Sequence, residues 1–275
     1  MTVDAVLDVL VETAPEIRAG LPGRRTRLAA TNASGERQLA ADVWADDLLL
    51  DRIGDLPGVG TYASEERGDP VDVGDGVLVA VDPLDGSSNL ESNNPMGTIV
   101  GIYGDSLPTS GASLVAAAFV LYGPITTMIV ARDGAVTESV IDDGRHDVGA
   151  VSLPEDPTVY GMGGRRQHWP AAVEDYVATV SEELKLRYGG AMIADVSQVL
   201  SYGGLFGYPM LQDRPEGKLR ALFEGAPVAA IVEAAGGASS DGEQSLLDVE
   251  IEAVHQRTPV FVGNREYVSR LEDAL

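Results

Sequence analysis

Val81-Asp82-Pro83-Leu84-Asp85-Gly86-Ser87-Ser88-Asn89 is the stretch whose chemistry decides how the rest of the chain is read. A short apolar run ends here in two carboxylates three positions apart with a proline between them. Proline fixes its own φ and favours a turn. Such a turn aims Asp82 and Asp85, with the carbonyl of Leu84, at one point, the all-oxygen ligand set that Mg²⁺ or Mn²⁺ takes. Gly86-Ser87-Ser88 then offers backbone N–H groups in a tight turn or helix start, a receptor for phosphate oxygens. An Asp-Pro pair also serves as a plain turn between strands, its acids capping backbone groups. The added Ser-Ser-Asn favours the metal-and-phosphate reading.

Upstream, Ser64-Glu65-Glu66 closes another β-type run, and adjacent side chains on an extended chain face opposite ways. One acid is therefore free to meet a metal while the other faces a water. Taken alone, paired glutamates are more often a solvated loop. Glu36 and Asp42 fall near the start of a helix, where acids also act as dipole partners.

Around these motifs, apolar spacing predicts helices over 3–17 and 38–53, the second with Leu39, Val43 and Leu50 on its inner stripe. Short β-type runs follow at 60–64, 77–82, 98–103, 116–122 and 125–131, separated by Gly, Pro and Asp. After a Pro/Asp-rich stretch at 153–157 the order becomes mixed. Strands are expected at 158–162 and 205–208, and helices at 170–184, 194–202 and 227–235, the last closed by Gly236 and Gly237. The pattern predicts an α+β fold of two closely packed subdomains, 1–155 and 156–275.

Composition narrows the function. Apolar residues make up 44% of the 275, yet no run approaches the roughly 18 residues of a membrane span. Residues 1–14 carry Asp4, Asp8 and Glu12 and no basic cluster, so a cytoplasmic location and no membrane partner are expected. Cysteine is absent, which excludes thiolate nucleophiles, disulfides and Cys-ligated zinc. Acids number 43 against 19 bases, a net charge of −24, and Lys185 and Lys218 are the only lysines. Nucleic acid is repelled by such a chain. A charge this large needs screening by counterions, which points to a salt-rich cytosol.

Together these residues resemble the class I fructose-1,6-bisphosphatases of the lithium-sensitive sugar and inositol phosphatase superfamily. The resemblance starts from Asp82–Asn89 and Ser64-Glu65-Glu66. It continues through Gly97-Thr98-Ile99, Arg187-Tyr188, Ala194-Asp195-Val196, Tyr202-Gly203-Gly204, Tyr208-Pro209, Gly217-Lys218-Leu219-Arg220, Glu224 and His255-Gln256-Arg257. It implies a layered α/β/α/β/α sugar-phosphatase fold. It implies hydrolysis of the 1-phosphate of fructose 1,6-bisphosphate to fructose 6-phosphate, a step of gluconeogenesis, with Mg²⁺ or alternatively Mn²⁺. By the same resemblance Glu65, Asp82, Asp85, Glu224 and the Leu84 carbonyl are metal ligands, with Glu36 near a further metal. Glu66 with Asp42 accepts a proton from the attacking water. Gly86, Ser87, Ser88 and Arg220 surround the 1-phosphate, and Lys218 and Met192 touch the furanose. Arg187, Tyr188 and Tyr208 form the 6-phosphate pocket, the arginine reaching in from a neighbouring subunit, which implies a homo-oligomer, dimer or tetramer.

Two departures from the family pattern stand out. Met162-Gly163-Gly164-Arg165-Arg166 replaces a Leu/Ile-Asn-Glu-Gly-Tyr run, removing an amide and a tyrosine from the 6-phosphate contacts, and Arg165 or Arg166 is either a bidentate substitute for them or a surface residue. Gly76-Val77 stands where animal enzymes have Lys-Tyr, and the animal N-terminal extension has no counterpart, so no AMP inhibition of that type is expected. The competing readings are an inositol monophosphatase or sedoheptulose bisphosphatase of the same superfamily and, from another class, a non-catalytic phosphosugar-binding protein. Inositol enzymes carry Thr-Thr and a later Trp-Asp where this chain has Ser87-Ser88 and Glu224.

Overall fold

The computed structural model describes residues 2–31 and 37–275. In chain order it begins with α1 (Thr2–Gly20), β1 (Arg27–Thr31), β2 (Arg37–Leu39), α2 (Ala40–Gly54), β3 (Val59–Ser64), β4 (Val71–Asp72) and β5 (Val77–Asp85). After α3 (Asn89–Ser92) come β6 (Met96–Tyr103), β7 (Thr109–Ser110), β8 (Leu114–Tyr122), β9 (Thr126–Arg132), β10 (Ala135–Asp142) and β11 (Gly144–Ala150). The second half holds β12 (Val159–Met162), α4 (Ala171–Glu183), β13 (Lys185–Leu186), α5 (Met192–Tyr202), β14 (Gly204–Tyr208) and β15 (Leu219–Arg220). It closes with α6 (Ala226–Ala234), β16 (Ala238–Ser240), β17 (Glu250–Ile251), β18 (Arg257–Thr258), β19 (Val260–Gly263) and α7 (Arg265–Ala274).

Two sheets order the molecule. The larger runs β11-β10-β9-β8-β6-β5-β3-β4 and is antiparallel except where β3 and β5 lie parallel. The smaller runs β13-β12-β14-β19-β16. Strand alternation sorts the core into layers. Val100, Ile102, Ala116, Ala118, Val120, Met128 and Val130 face α1 and α2, meeting Leu10, Ile17, Leu49 and Ile53. Their neighbours Ile99, Ala117, Phe119, Ile129 and Ala131 face the other way, onto Ile193 and Val196 of α5 and Val228 and Val232 of α6. Those two helices are also the floor under Phe206, Val260 and Val262 of the smaller sheet. Its far face, with Tyr160, Leu205 and Phe261, is covered by Val173 and Val177 of α4 and by Val268 and Leu271 of α7. Helices, sheet, helices, sheet, helices: this is the layered α+β arrangement the motifs imply.

Several elements differ from expectation. Helix α2 is buried through Ala41, Ala45, Leu49 and Ile53, whereas Val43 and Leu50 are only half-buried. The face is set by alanines that let the helix approach α1 and the sheet closely, so large apolar residues misread it. Strands β1 and β2 stand between the first two helices. The hairpin of β10 and β11 extends the large sheet, its outer strand fully exposed and so without an apolar alternation to announce it.

Candidate active site

The Asp-Pro segment is not a turn after the strand but a bulge inside it. Asp82 pairs with Ile99 and Asp85 with Gly97, so three steps along β5 match two along β6. In a regular strand, residues three apart face opposite sides of the sheet. The one extra residue restores both carboxylates to the same side. Thr98, opposite the bulge, donates its hydroxyl to the Pro83 carbonyl at 2.8 Å and lies 2.9 Å from the Tyr122 hydroxyl. The Leu84 N–H donates to Asp82 Oδ1 at 3.0 Å. Gly86 follows with φ +71°, and a Cβ there would lie 2.2 Å from that of Ala191, so both conformation and closeness demand glycine.

From this bulge the site assembles through neighbouring elements. Asp85 Oδ2 accepts the Ile193 N–H at 2.8 Å, capping the start of α5 and seating buried Met192 beside the motif. Parallel pairing of β3 with β5 carries Glu65 alongside Asp82, with the Glu65 N–H donating to the Val81 carbonyl at 3.1 Å. Glu224 comes from a π-helical turn, Ala221–Gly225, ahead of α6, and accepts the Arg220 N–H at 2.6 Å. Asp82, Asp85 and Glu224, all buried, each present an oxygen within 4.8 Å of the others. Glu65 adjoins this triad and pairs with Arg220, Oε1 to Nη2 3.0 Å. Asp42 sits in the first turn of α2, where its Oδ2 accepts the Leu39 N–H at 2.8 Å.

A cleft of about 410 Å³ joins these groups. Its lining carries Asp42, Glu65, Glu66, Asp82, Asp85 and Glu224 against Arg27, Lys218 and Arg220, together with Gly86, Ser87, Ser88, Tyr188, Met192 and Tyr208. Lys218 Nζ is 5.6 Å from the centre of the Tyr208 ring. Burial is the first cause of every acid shift here, because a charge in a water-poor site is costly. It pushes Glu66 up to about 8, with the Glu65 and Asp42 charges adding to it. It pushes Asp42 up to about 6 against donation from Leu39 N–H and Ser87. Asp82, Asp85 and Glu224 are raised by burial and by their carboxylate neighbours. Buried acids that repel one another, all offering oxygen, fit a divalent cation by the chemistry of the donor set.

Most residues singled out in the sequence meet in this one cleft, but not all. Arg187 does not line it: its guanidinium bonds Gln198 Oε1 at 3.3 Å and lies 4.8 Å from the centre of the Tyr202 ring. Arg165 and Arg166 lie on a separate shallow surface with Gln167 and Glu174, Arg166 bound to Glu174, so neither reaches the cleft as a substitute donor. Gly163 has Tyr208 directly against it, a Cβ there falling 2.3 Å from the ring. Glu36 lies outside the described residues.

Three supporting groups went unassigned in the sequence. Asn89 Nδ2 donates to the carbonyls of Pro95 and Gly189, and Asp195 Oδ1 accepts the Gly189 N–H at 2.7 Å, clamping the loop that brings Tyr188 to the cleft. Burial pushes Asp195 up to about 6. Gln38 donates to Glu66 Oε2 at 2.5 Å. For Asn89 and Asp195 the motifs that carry the resemblance were a signal; for Gln38, a polar side chain at an ordinary position, there was none.

Residues 16–151 match the family profile of the fructose-1-6-bisphosphatase N-terminal domain, and residues 153–275 that of the C-terminal domain. The chain is 63% identical over 278 residues to a class 1 fructose-1,6-bisphosphatase of Natronomonas pharaonis, covering 99% of this chain and 98% of that one. It is 60% identical to the class 1 fructose-1,6-bisphosphatase of Halobacterium salinarum over 99% of this chain and 97% of that one. Among solved structures, Leishmania major fructose-1,6-bisphosphatase in holo form superposes with a TM-score of 0.94 at 26% identity, covering 99% of this chain and 94% of that one.

Proposed function

This chain belongs to the class 1 fructose-1,6-bisphosphatase family, and from that membership we propose how its residues hydrolyse the 1-phosphate of fructose 1,6-bisphosphate to give fructose 6-phosphate and phosphate. The family is divalent-metal dependent, and we assign Mg²⁺ as the ion, with Mn²⁺ as its substitute. The observation that carries the reading is the buried triad of Asp82, Asp85 and Glu224 opening on a cleft with Arg220 and Lys218. Those three acids, with Glu65 and the Leu84 carbonyl, would hold the cation, and Glu36 would serve a further one. When bound, such ions offset phosphate charge and acidify nearby water.

The chain's own groups do the rest. Backbone N–H groups of Gly86, Ser87 and Ser88, at the turn ahead of α3, receive the 1-phosphate oxygens. Glu66, assisted by Asp42, takes the proton of the attacking water; its raised basicity suits that role near neutral pH. Arg220, buried beside Glu65, offsets charge on the phosphate and the leaving oxygen. Met192 and Lys218 hold the furanose, and Tyr188 and Tyr208 the far phosphate. Arg187 points away from its own cleft, beside exposed Leu186, Tyr188 and Tyr202, which supports its delivery to the cleft of a neighbouring copy in a homo-oligomer. Residues 1–155 act as the metal and 1-phosphate subdomain and 156–275 as the sugar and 6-phosphate subdomain. We place the enzyme in a salt-rich cytoplasm and in gluconeogenesis, supported by its charge of −24 and by halophilic relatives.

The test is phosphate release from fructose 1,6-bisphosphate in molar KCl, with Mg²⁺ and with Mn²⁺, beside inositol 1-phosphate. Metal-dependent turnover of the bisphosphate alone is expected. Preference for the inositol ester, or no turnover of either, would overturn the reading.

A further inference from the structure

Glu66 is held firmly by its backbone and loosely by its neighbours. Its N–H donates to Ser64 Oγ at 3.2 Å, and the next residue is fixed by ion pairs from Arg67 to Asp46 and Asp47, both 2.6 Å. His255 Nε2 adds a 2.7 Å hydrogen bond to the Arg67 carbonyl. The Glu66 side chain, however, has three torsions of its own and stands among Glu65, Asp42 and Asp46, which repel it. An unsteered carboxylate in that setting turns away from its acidic neighbours and from the cleft they line.

Gln38 supplies the steering. Its Nε2 lies 2.5 Å from Glu66 Oε2. The backbone that presents it is fixed at the two residues that follow. Leu39 N–H donates to Asp42, and Ala40 N–H to the Thr26 carbonyl at 2.9 Å. Leu39 pairs with Arg27 of β1, and the Arg27 guanidinium grips both oxygens of Glu91 at 2.8 and 3.0 Å. An amide is a neutral donor, so it orients the carboxylate without adding a cation to a site built to hold one. With Oε2 occupied by the amide, Oε1 is the oxygen left for the proton of water.

We propose that Gln38 is a positioning residue for the hydrolysis, holding the Glu66 carboxylate in the orientation that receives the proton. This rests on the reading of Glu66 as proton acceptor. Gln38→Met keeps the length of the side chain and removes the donor. Gln38→Glu keeps the shape and replaces the donor with a repelling charge. Both are compared with Glu66→Gln and with the Gln38→Met/Glu66→Gln double variant, at saturating Mg²⁺ and molar KCl, after thermal unfolding has verified the fold of each.

Gln38→Met is expected to lower kcat by about tenfold or more while KM for the bisphosphate stays within about twofold, since misplacing a reacting group costs rate rather than binding. Gln38→Glu is expected to lose more. On the Glu66→Gln background, Gln38→Met is expected to cost nothing further. An unchanged kcat in Gln38→Met overturns the proposal, as does the same fractional loss with and without Glu66. An inactive wild type sinks the functional reading and this role together, whereas an active wild type with an indifferent Gln38→Met sinks this role alone.

Discussion

At Glu66 a carboxylate is surrounded by other carboxylates, and it is kept basic by burial first and by the charges of Glu65 and Asp42 next. A group so placed accepts a proton readily yet binds no cation of its own among the ion pairs described. Replacing it with Gln keeps the volume and the contact partner Gln38 while abolishing proton acceptance. Glu66→Gln is therefore expected to depress kcat by about a hundredfold or more with little change in the Mg²⁺ concentration for half-saturation. Steady-state kinetics across a Mg²⁺ titration measure both, and wild-type turnover would remove Glu66 from the mechanism. Gly163 makes a different kind of point. Its missing Cβ is the space that the Tyr208 ring occupies. Gly163→Ala must move that ring from the cleft wall, and is expected to raise KM several-fold, on the order of 1 kcal/mol of lost binding, with kcat held. A KM equal to that of the wild type would show that the Tyr208 ring is not a binding wall.

The bulge in β5 is the element on which the site turns. It places Asp82 and Asp85 on one side of the sheet, and Thr98 on the adjacent strand holds it by a hydrogen bond to the Pro83 carbonyl. Thr98→Val keeps the shape and leaves two buried partners, the Pro83 carbonyl and the Tyr122 hydroxyl, short of a hydrogen bond. A loss of about 1–3 kcal/mol in unfolding free energy is expected, together with weaker Mg²⁺ binding. Denaturant melts and metal titration separate the two effects; a variant with wild-type metal affinity would mean the bulge holds without Thr98. The sequence makes Asp82-Pro83-Leu84-Asp85 plain, but a bulge is a relation between two strands, and nothing within residues 82–85 states their register with β6. Glu224 is similar: it is recognisable as an acid near Lys218 and Arg220, while the π-helical turn that aims it has no local signature. The large apolar runs gave β3, β5, β6, β8 and β9 within a few residues. Exposed β11 and the alanine face of α2 lay beyond such a reading, because neither is marked by large apolar side chains.

Across the whole molecule, negative charge is concentrated in the buried cleft as well as spread over the surface, and the two populations answer to different ions. Surface charge is relieved by bulk salt, whose screening length shrinks to a few ångströms near molar concentration. The buried acids are out of reach of such screening and are relieved only by a proton or by a bound cation. For Glu66, raised to about 8 from 4.5, and for Asp42 and Asp195, each raised to about 6 from 3.8, the folded protein holds the proton more tightly than the unfolded chain does. Groups shifted in that sense add stability below their unfolded values and lose it as pH rises through their folded ones. In metal-free protein at molar KCl, Tm is therefore expected to fall from about pH 5 to about pH 8, by about 2 °C for each kcal/mol lost in a chain of this size. Millimolar Mg²⁺ is expected to return that stability, and its increment in Tm should grow over the same interval, because the deprotonated carboxylate is the form that binds. Added KCl beyond the first molar should not substitute for it. A Mg²⁺ increment that is flat with pH, or one matched by extra KCl, would mean that the cation acts on the surface and not at Asp82, Asp85 and Glu224.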